Sequence, residues 1–479
     1  MTPVQTVLFV IYNPTHFKEL YRVIERYNNL DGITIHVVFE SKYQDVQIDI
    51  DHLQSMGVKC FTNQCMVIDR LVDNMSWSLS IRKMQVNLMD IIVALILMVL
   101  GLKVSKRYVI YRTWETRNKK FLKRYQPDVL FLAEASLNLP TSLLWIKQAR
   151  KHDIPSIIIP YGLMGLPYNH EMKMFYSKNS THLVSKNGYV AKFIKHFMPT
   201  MVAEHKSIEV LRLPVEDTIV AKLTGIIPPL PWNPNSSNVS AIAVESIFMK
   251  ELYLMGGFPE NQLQLTGTLY FDEIFNIVDK LQFYRQALYK KYQVPVSHGL
   301  IVCGFPPDQF KVQTFCENGI DDFGDIINLY ATIFSKIRSW TILVNPHPRI
   351  KHYDLTKLDS FNHIHLVYQN ISDLIPLSDI YIAASSSSTI RTGIACGIPT
   401  INYDVYGYEH KQYSNVKSVL SIQTKNELIE AISKLTQDPD YYEEQATLAR
   451  RSADHWGQID GQAFNRLREL VQQLRISAS

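Results

Sequence analysis

Apolar residues in this chain gather into short dense runs, and most runs lead into a stretch with helical spacing. Residues 6–12 form a first strand-like run that stops at the loop Asn13-Pro14-Thr15-His16, ahead of a helical segment. Residues 33–40 (ITIHVVFE) form a second strand. Residues 108–126 are basic and helical in character, and 126–136 (QPDVLFLAEAS) read as a buried strand ending at Glu134. A helical stretch at 141–152 leads into a strand over 152–162, which closes on Pro160, Tyr161 and Gly162. Residues 170–240 show no clear period, and 228–237 (PPLPWNPNSS) carry the Pro and Asn of a loop. Residues 239–272 read as strand, helix, turn and strand, and a linker-like helical stretch follows. A new strand at 298–308 (HGLIVCGFPPD) opens a second set. The alternation predicts an α/β protein built as two doubly wound domains facing each other across a cleft. The expected divisions are 1–270, with an apolar helix near 88–104 and an irregular insertion near 170–240, then 271–455, then a helical segment at 456–479.

Two short motifs in the second set carry the candidate chemistry. One is TILVNPHPRI, 341–350; the other is LSDIYIAASSSSTIRTGIACGIPTINYD, 377–404. Each begins as an apolar strand and stops at polar residues suited to a phosphate. In open parallel sheets ligands bind outside the carboxyl ends of the strands. A helix start after Ser385, Ser386, Ser387, Ser388 and Thr389 would offer unpaired N–H groups and a positive dipole end. His347 and Arg349 leave a strand about 38 residues earlier, one βαβ unit away. The two motifs are therefore read as leaving neighbouring strands and gripping one diphosphate or phosphodiester. Gly304 and Pro306 end the first strand of this set, where a glycine permits close approach of a donor to the backbone. Asp404, Tyr406, Gly407 and His410 follow the next strand and are read as shaping a sugar pocket.

Length and composition narrow the function. At 479 residues the chain is too long for one core. Apolar residues make up 46% and charged residues 20%, as in an ordinary globular protein, and the net charge of +4 does not mark a nucleic-acid binder. The five cysteines are scattered and read as free thiols in a reducing cytosol rather than a zinc site. Asp321, Asp322 and Asp325 read as a solvated face, so no metal ligand set is expected. Residues 1–12 lack a basic n-region and a cleavage site, so a cytoplasmic protein is expected and the sequons at Asn235 and Asn238 carry no weight.

The run 91–102 (IIVALILMVLGL) stands apart. At 1.5 Å per residue it reaches about 18 Å, short of the roughly 30 Å bilayer core. Two readings stay open: a helix buried in the protein, or a helix dipping into one leaflet with Lys103, Lys106 and Arg107 at the headgroups.

Several stretches together resemble the GT-B glycosyltransferases. They are the run from Gln126 to Gly165, the segment ESIFMKELYLMGGFPENQLQLTGTLYFD, the His347-Pro348 motif with the serines at 385–388, and HWGQIDGQAFNRLRELV at 455–471. The resemblance implies two Rossmann-like domains, a nucleotide-sugar donor held by the second, an acceptor by the first, and a final helix crossing back to the first. The His-Pro and serine pair is most similar to bacterial surface-polysaccharide enzymes, namely sialyltransferases, Kdo transferases and CDP-glycerol polymerases. In those families the histidine and serines contact the donor phosphate. Many UDP-sugar enzymes place a glutamate on the helix after this loop; here Arg391 stands in that stretch. The chain also resembles the non-hydrolysing UDP-GlcNAc 2-epimerases over 126–165 and 377–404, with PYGLMG where those enzymes carry a His-Glu-Ala-Gly-Leu-Arg type sequence.

The expected activity is transfer of a sugar from a CMP- or UDP-sugar to a glycan or lipid-linked acceptor, with no cofactor or metal. A peripheral position on the inner face of the plasma membrane would suit such an acceptor. Transfer needs a base near the acceptor hydroxyl. Glu134 is the first candidate, with a carboxyl pKa raised by burial, and His16 the second. Asn13, Tyr161 and Gly162 are read as the acceptor side. A 2-epimerase and a non-catalytic subunit of a glycan assembly complex are the competing classes.

Overall fold

A computed structural model describes residues 5–62, 90, 92–93, 95, 102–161, 166–295, 297–310, 320–350, 353–384, 387–408 and 413–478. The chain forms two compact units. The first takes Met1–Val244, Met249–Thr266 and Phe464–Ser479; the second takes Glu245–Phe248 and Gly267–Ala463.

The first unit is built on a seven-stranded sheet with all strands parallel. Its strands are β1 (Thr6–Ile11), β2 (Thr34–Phe39), β3 (Lys59–Thr62), β4 (Val129–Leu132), β5 (Ser156–Ile158), β8 (Ala241–Val244) and β9 (Leu263–Leu265). Their order is β3-β2-β1-β4-β5-β8-β9. Between β5 and β8 the chain makes an antiparallel hairpin, β6 (Val202–His205) with β7 (Ile208–Leu211). Strand β4 and all of β1 after Thr6 are apolar because they are covered on both faces; Val7–Ile11 and Val129–Leu132 are fully buried.

The irregular insertion expected near 170–240 is corrected to an ordered one. Helices Leu166–Ser177, Gly188–Phe197 and Val215–Leu223 flank the hairpin in the chain, and the first of them packs on it. Each spans little more than three turns at most, and single turns of 3-10 helix interrupt them, so no window of sequence is long enough to show a clear period.

The helix Leu102–Tyr125 packs on this unit through Val104, Tyr108, Val109, Tyr111, Trp114 and Leu122. Arg107, which one of the two readings put at lipid headgroups, is ion-paired with Asp217, both side chains being mostly buried. Residues 91, 94 and 96–101 of the apolar run, on which both readings of it rest, lie outside the described residues. Among the described residues no helix is long and apolar enough to cross a membrane.

The second unit is a six-stranded parallel sheet, β10 (Gly299–Phe305), β11 (Trp340–Pro346), β12 (Ile364–Leu366), β13 (Ile380–Ala384), β14 (Thr400–Tyr403) and β15 (Val419–Ile422). The order is β12-β11-β10-β13-β14-β15. Ile301, Cys303, Phe305, Ile326, Tyr330 and Val344 belong to its main apolar core. Asp322 and Asp325, expected as a solvated face, form a capping box that starts the helix Phe323–Phe334.

In both sheets the chain runs outward from one central strand, then returns and runs outward the other way. The reversal falls between β1 and β4 in the first unit and between β10 and β13 in the second. Loops that leave neighbouring strands on opposite sides of such a point part to leave a crevice.

Candidate functional site

In the second unit the reversal point gathers the expected donor residues. The expectation that the His-Pro strand and the serine strand are neighbours is corrected: β10 lies between them, paired with β11 on one side and β13 on the other. Two strand spacings separate their ends by about 10 Å. His347 and Arg349 thus leave one flank of β10, and Ser387, Ser388 and Thr389 leave the other. Ser385 and Ser386 lie outside the described residues, as does His410.

His347 is half-buried at the end of β11, and Arg349 beside it is exposed. The Arg349 backbone N–H donates to His347 Nδ1 at 3.2 Å. Burial first, then the Arg349 charge, holds the imidazole below the usual histidine value. The neutral ring therefore carries its proton on Nε2, which is a hydrogen-bond donor.

The serine turn is held from beneath by hydroxyls. Tyr381, fully buried on β13, meets Thr389 Oγ1, and Thr389 Oγ1 meets Ser387 Oγ at 2.6 Å. The Tyr413 hydroxyl donates to the Ser387 carbonyl at 3.4 Å. Ser388 is exposed. The helix that follows, Ile390–Ala395, has only six residues and no side-chain cap, so it lends little dipole. The residue before this helix is Thr389, so Ser387 and Ser388 do not cap it.

Gly304 has a packing reason that the sequence did not show. A Cβ there would lie 2.9 Å from Ile371 Cδ1 and 3.0 Å from the Tyr381 hydroxyl. Pro306 is buried in the loop after β10. That loop is strapped at Pro307, whose carbonyl accepts from Tyr406 at 2.6 Å, and at Asp308, which accepts from Tyr353. Tyr406 is 2% exposed, so it braces this loop rather than lining a sugar pocket.

Arg391 has a carboxylate after all. It is ion-paired with Glu245, 146 residues earlier in the chain, and the two side chains are 13% and 14% exposed. Sequence reasoning missed Glu245, Tyr381 and Tyr413. A lone tyrosine in an otherwise aliphatic strand, IYIAA, was the available signal for Tyr381.

In the first unit the reversal point brings His16, Glu134 and Tyr161 together from the ends of β1, β4 and β5. Asn13 caps the helix Pro14–Asn28, its side chain accepting from the His16 N–H at 2.9 Å. This capping turn sets His16, which is fully buried, with Nε2 3.6 Å from Glu134 Oε2. The Tyr161 hydroxyl donates to the same oxygen at 2.9 Å, and its ring lies 5.1 Å from that of His16. Gly162 lies outside the described residues.

The expected rise in the Glu134 pKa is corrected. Burial does push it up, but His16, the Ser136 hydroxyl and Tyr161 together outweigh burial, and the carboxyl titrates below its ordinary value. The group is a carboxylate at neutral pH. Its loop is pinned by Asn235, a buried residue with φ of 67°. Asn235 Oδ1 accepts from the Ala135 N–H at 3.0 Å, its own N–H donates to the Ala135 carbonyl at 2.7 Å, and Nδ2 donates to the Tyr253 hydroxyl at 3.0 Å.

Among the described residues no cluster of three His, Cys, Asp or Glu side chains is placed to hold a metal ion.

Comparison with known proteins bears on the fold. No model of a known protein family matches the sequence, and no curated protein matches it. Solved structures do match. A UDP-GlcNAc 2-epimerase from Neisseria meningitidis bound to UDP-GlcNAc is similar with a TM-score of 0.53 at 13% identity, over 98% of this chain and 100% of that one. Another UDP-N-acetylglucosamine 2-epimerase is similar at 0.50 and 11% identity, over 99% and 96%. The glycotransferase of kitacinnamycin is similar at 0.50 and 11%, over 99% and 100%. The chain has the GT-B-like fold, with two Rossmann-like parallel-sheet units.

Proposed function

We propose that this chain is a GT-B nucleotide-sugar enzyme, a glycosyltransferase that moves a sugar from a CMP- or UDP-activated donor to a glycan or lipid-linked acceptor in surface polysaccharide assembly. The observation that carries the reading is the placement of the His347 turn and the Ser387–Thr389 turn on the two strands flanking β10, at the reversal point of the second sheet. That is where open α/β sheets bind nucleotides.

In this reading the bond between the sugar's anomeric carbon and the donor phosphate breaks, and its electron pair stays on the phosphate oxygen. The His347 Nε2–H, the Ser388 hydroxyl and the Arg349 guanidinium meet that charge, without a metal ion. Glu134 takes the proton of the acceptor hydroxyl as that oxygen bonds to the anomeric carbon. The carboxylate is ionised at neutral pH and so can accept a proton, with His16 at 3.6 Å, while its lowered pKa makes it a weaker base than a free glutamate. Asn13, Tyr161 and Gly162 belong to the acceptor side. The protein works in the cytoplasm, against the inner membrane face where the acceptor is lipid-linked.

A second reading, a non-hydrolysing UDP-GlcNAc 2-epimerase, draws on the same acid–base group, since inverting a sugar carbon requires removing and returning its proton. Calorimetric titration of the full chain with CMP, CDP, UDP and GDP tests the shared premise, and failure to bind any of them overturns both readings. Product analysis then divides them. Transfer that needs a glycan or lipid-linked acceptor supports the first; an epimerised sugar formed from UDP-GlcNAc alone supports the second.

A further inference from the structure

The helix Gly188–Phe197 buries only Ala191 and Ile194 against the first unit. Its opposite face leaves Tyr189 88%, Phe193 56%, Phe197 61% and Val190 44% exposed. The three aromatic residues are spaced at i, i+4 and i+8 and therefore share a face. The Phe193 and Phe197 rings are 4.3 Å apart. The exposure does not reflect loose packing of the insertion. Tyr176 stacks on His182 at 4.1 Å, and buried Arg212 donates to the Pro231 carbonyl at 2.9 Å and to Tyr176 and Asn138 at 3.0 Å.

Charge singles out the same segment. Residues 172–203 contain no Asp or Glu and five lysines, at 173, 178, 186, 192 and 195. Lys195 is paired with Glu209 on β7. Lys178, Lys186 and Lys192 have no acidic partner among the described residues, and Lys192 Nζ lies 5.6 Å above the Tyr189 ring. A surface that is both aromatic and basic is unlike a protein interface, where lysine is depleted. Its apolar area, roughly 400 Å² from four partly exposed side chains, is about the apolar share of a standard protein interface, so charge rather than area points to a lipid surface. Aromatic rings beside lysines do suit the boundary between headgroups and acyl chains of an anionic bilayer. There the lysine stems lie along the apolar layer and the ammonium groups reach the phosphates.

We propose that the helix Gly188–Phe197 is a membrane-docking surface for an anionic bilayer. Tyr189, Phe193 and Phe197 enter the acyl boundary, and Lys186 and Lys192 meet lipid phosphates. The inference deepens the peripheral-membrane part of the proposed function and is independent of the donor chemistry.

The full chain is mixed with vesicles of phosphatidylcholine, with and without phosphatidylglycerol, and sedimented. Partition onto the anionic vesicles is expected, weakening with salt. It should fall at least about tenfold in Phe193→Ser/Phe197→Ser, and should also fall in Lys186→Glu/Lys192→Glu. Because these side chains are exposed, thermal stability and nucleotide binding should hold in every variant. This separates failure of the docking surface from failure of the nucleotide-sugar reading. In Tyr189→Trp the emission should shift to the blue only with anionic vesicles. Absence of partition at low salt overturns the proposal. Partition unchanged by the substitutions overturns it too, and moves the contact to another part of the chain such as 91–102. A dimer in equilibrium sedimentation that disappears in Phe193→Ser/Phe197→Ser, with no vesicle binding, would replace the membrane with a second copy of the chain.

Discussion

Gly304 on β10 and Tyr381 on β13 fit together as notch and wedge: a methyl group on Gly304 would lie 3.0 Å from the Tyr381 hydroxyl. That hydroxyl supports Thr389, and Thr389 supports Ser387, so the notch sets the height of the serine turn. Gly304→Ala should cost about 1–3 kcal/mol of stability through overpacking and weaken nucleotide binding. Tyr381→Phe keeps the wedge but removes the hydroxyl, at about 1 kcal/mol, and should lower nucleotide affinity with less loss of stability. Urea denaturation and calorimetric titration separate the two effects. A Gly304→Ala protein that binds nucleotide as tightly as the parent would show that the turn does not depend on this contact.

His347→Ala should lower transfer at least about tenfold, equivalent to about 1.4 kcal/mol of transition-state stabilisation, with the fold intact. The imidazole is neutral at pH 7 because burial and the Arg349 charge lower its pKa. Its midpoint, followed by proton NMR of the ring, should lie below 6.5. A midpoint above 6.5, or unchanged kinetics in a well-folded variant, removes the neutral-donor role.

Glu134→Gln should depress turnover far more than donor affinity. The sign of the pH effect follows from the lowered pKa. The carboxylate contributes stability above its unfolded value and loses that contribution as the pH falls through the lower folded one. The acid limb of activity assigned to this group should therefore lie below about 4.5, the ordinary glutamic acid value. After burial, which raises it, His16 is the leading cause of the lowering, so His16→Ala should move the Glu134 midpoint upward. Carboxyl NMR of the labelled protein reads both. If donor binding collapses in Glu134→Gln while saturated turnover survives, the residue holds structure rather than a proton.

The strands that frame both reversal points were legible because β1, β4, β10, β11 and β13 are buried apolar runs that stop at polar residues. Glu134, His347 and Ser387 sit at the ends of those runs, and a strand end is a local signal. Order in space is not local. Nothing in 341–350 or 377–404 states that β10 comes between their strands, since that depends on where the crossovers return. The Arg391–Glu245 and Ala135–Asn235 contacts span 146 and 100 residues, beyond the reach of any periodicity. The pKa of Glu134 was misjudged for the same reason. Burial can be read from VLFLAE, but His16 and the Tyr161 hydroxyl come from segments that follow other strands.

Asn235 offers a test of such a distant contact. Its backbone is left-handed, its side chain is fully buried, and it clasps the residue after Glu134. Asn235→Gly keeps the backbone conformation and loses the side-chain bonds; Asn235→Ala loses the bonds and adds the left-handed penalty of about 1–2 kcal/mol. Both should destabilise, alanine more. If positioning of Glu134 is the role, both should also lower turnover at saturating donor while nucleotide affinity stays near that of the parent. Equal stability of the glycine and alanine proteins would contradict the strained-backbone account.

His36 predicts how the first unit responds to acid. It lies on β2, 3% exposed, among Phe61, Phe121 and Tyr125, whose ring centroids are 5.7, 6.4 and 4.7 Å away. Neither ring nitrogen has a hydrogen-bond partner among the described residues. Burial, then the charge of Lys59 on the paired strand, lowers its pKa to about 4 from an ordinary 6.5. Between those values the unfolded chain binds a proton that the folded chain does not, so stability rises with pH there and is lost as the pH falls below 6.5. From pH 7 to pH 5 the loss from this one group should reach up to about 2 kcal/mol. His36→Phe fills the same aromatic box without a titrating nitrogen and should lose that much less over the same interval. Urea denaturation of both proteins at the two pH values measures the difference, and parallel losses would mean that His36 is protonated in the folded protein as readily as in the unfolded one.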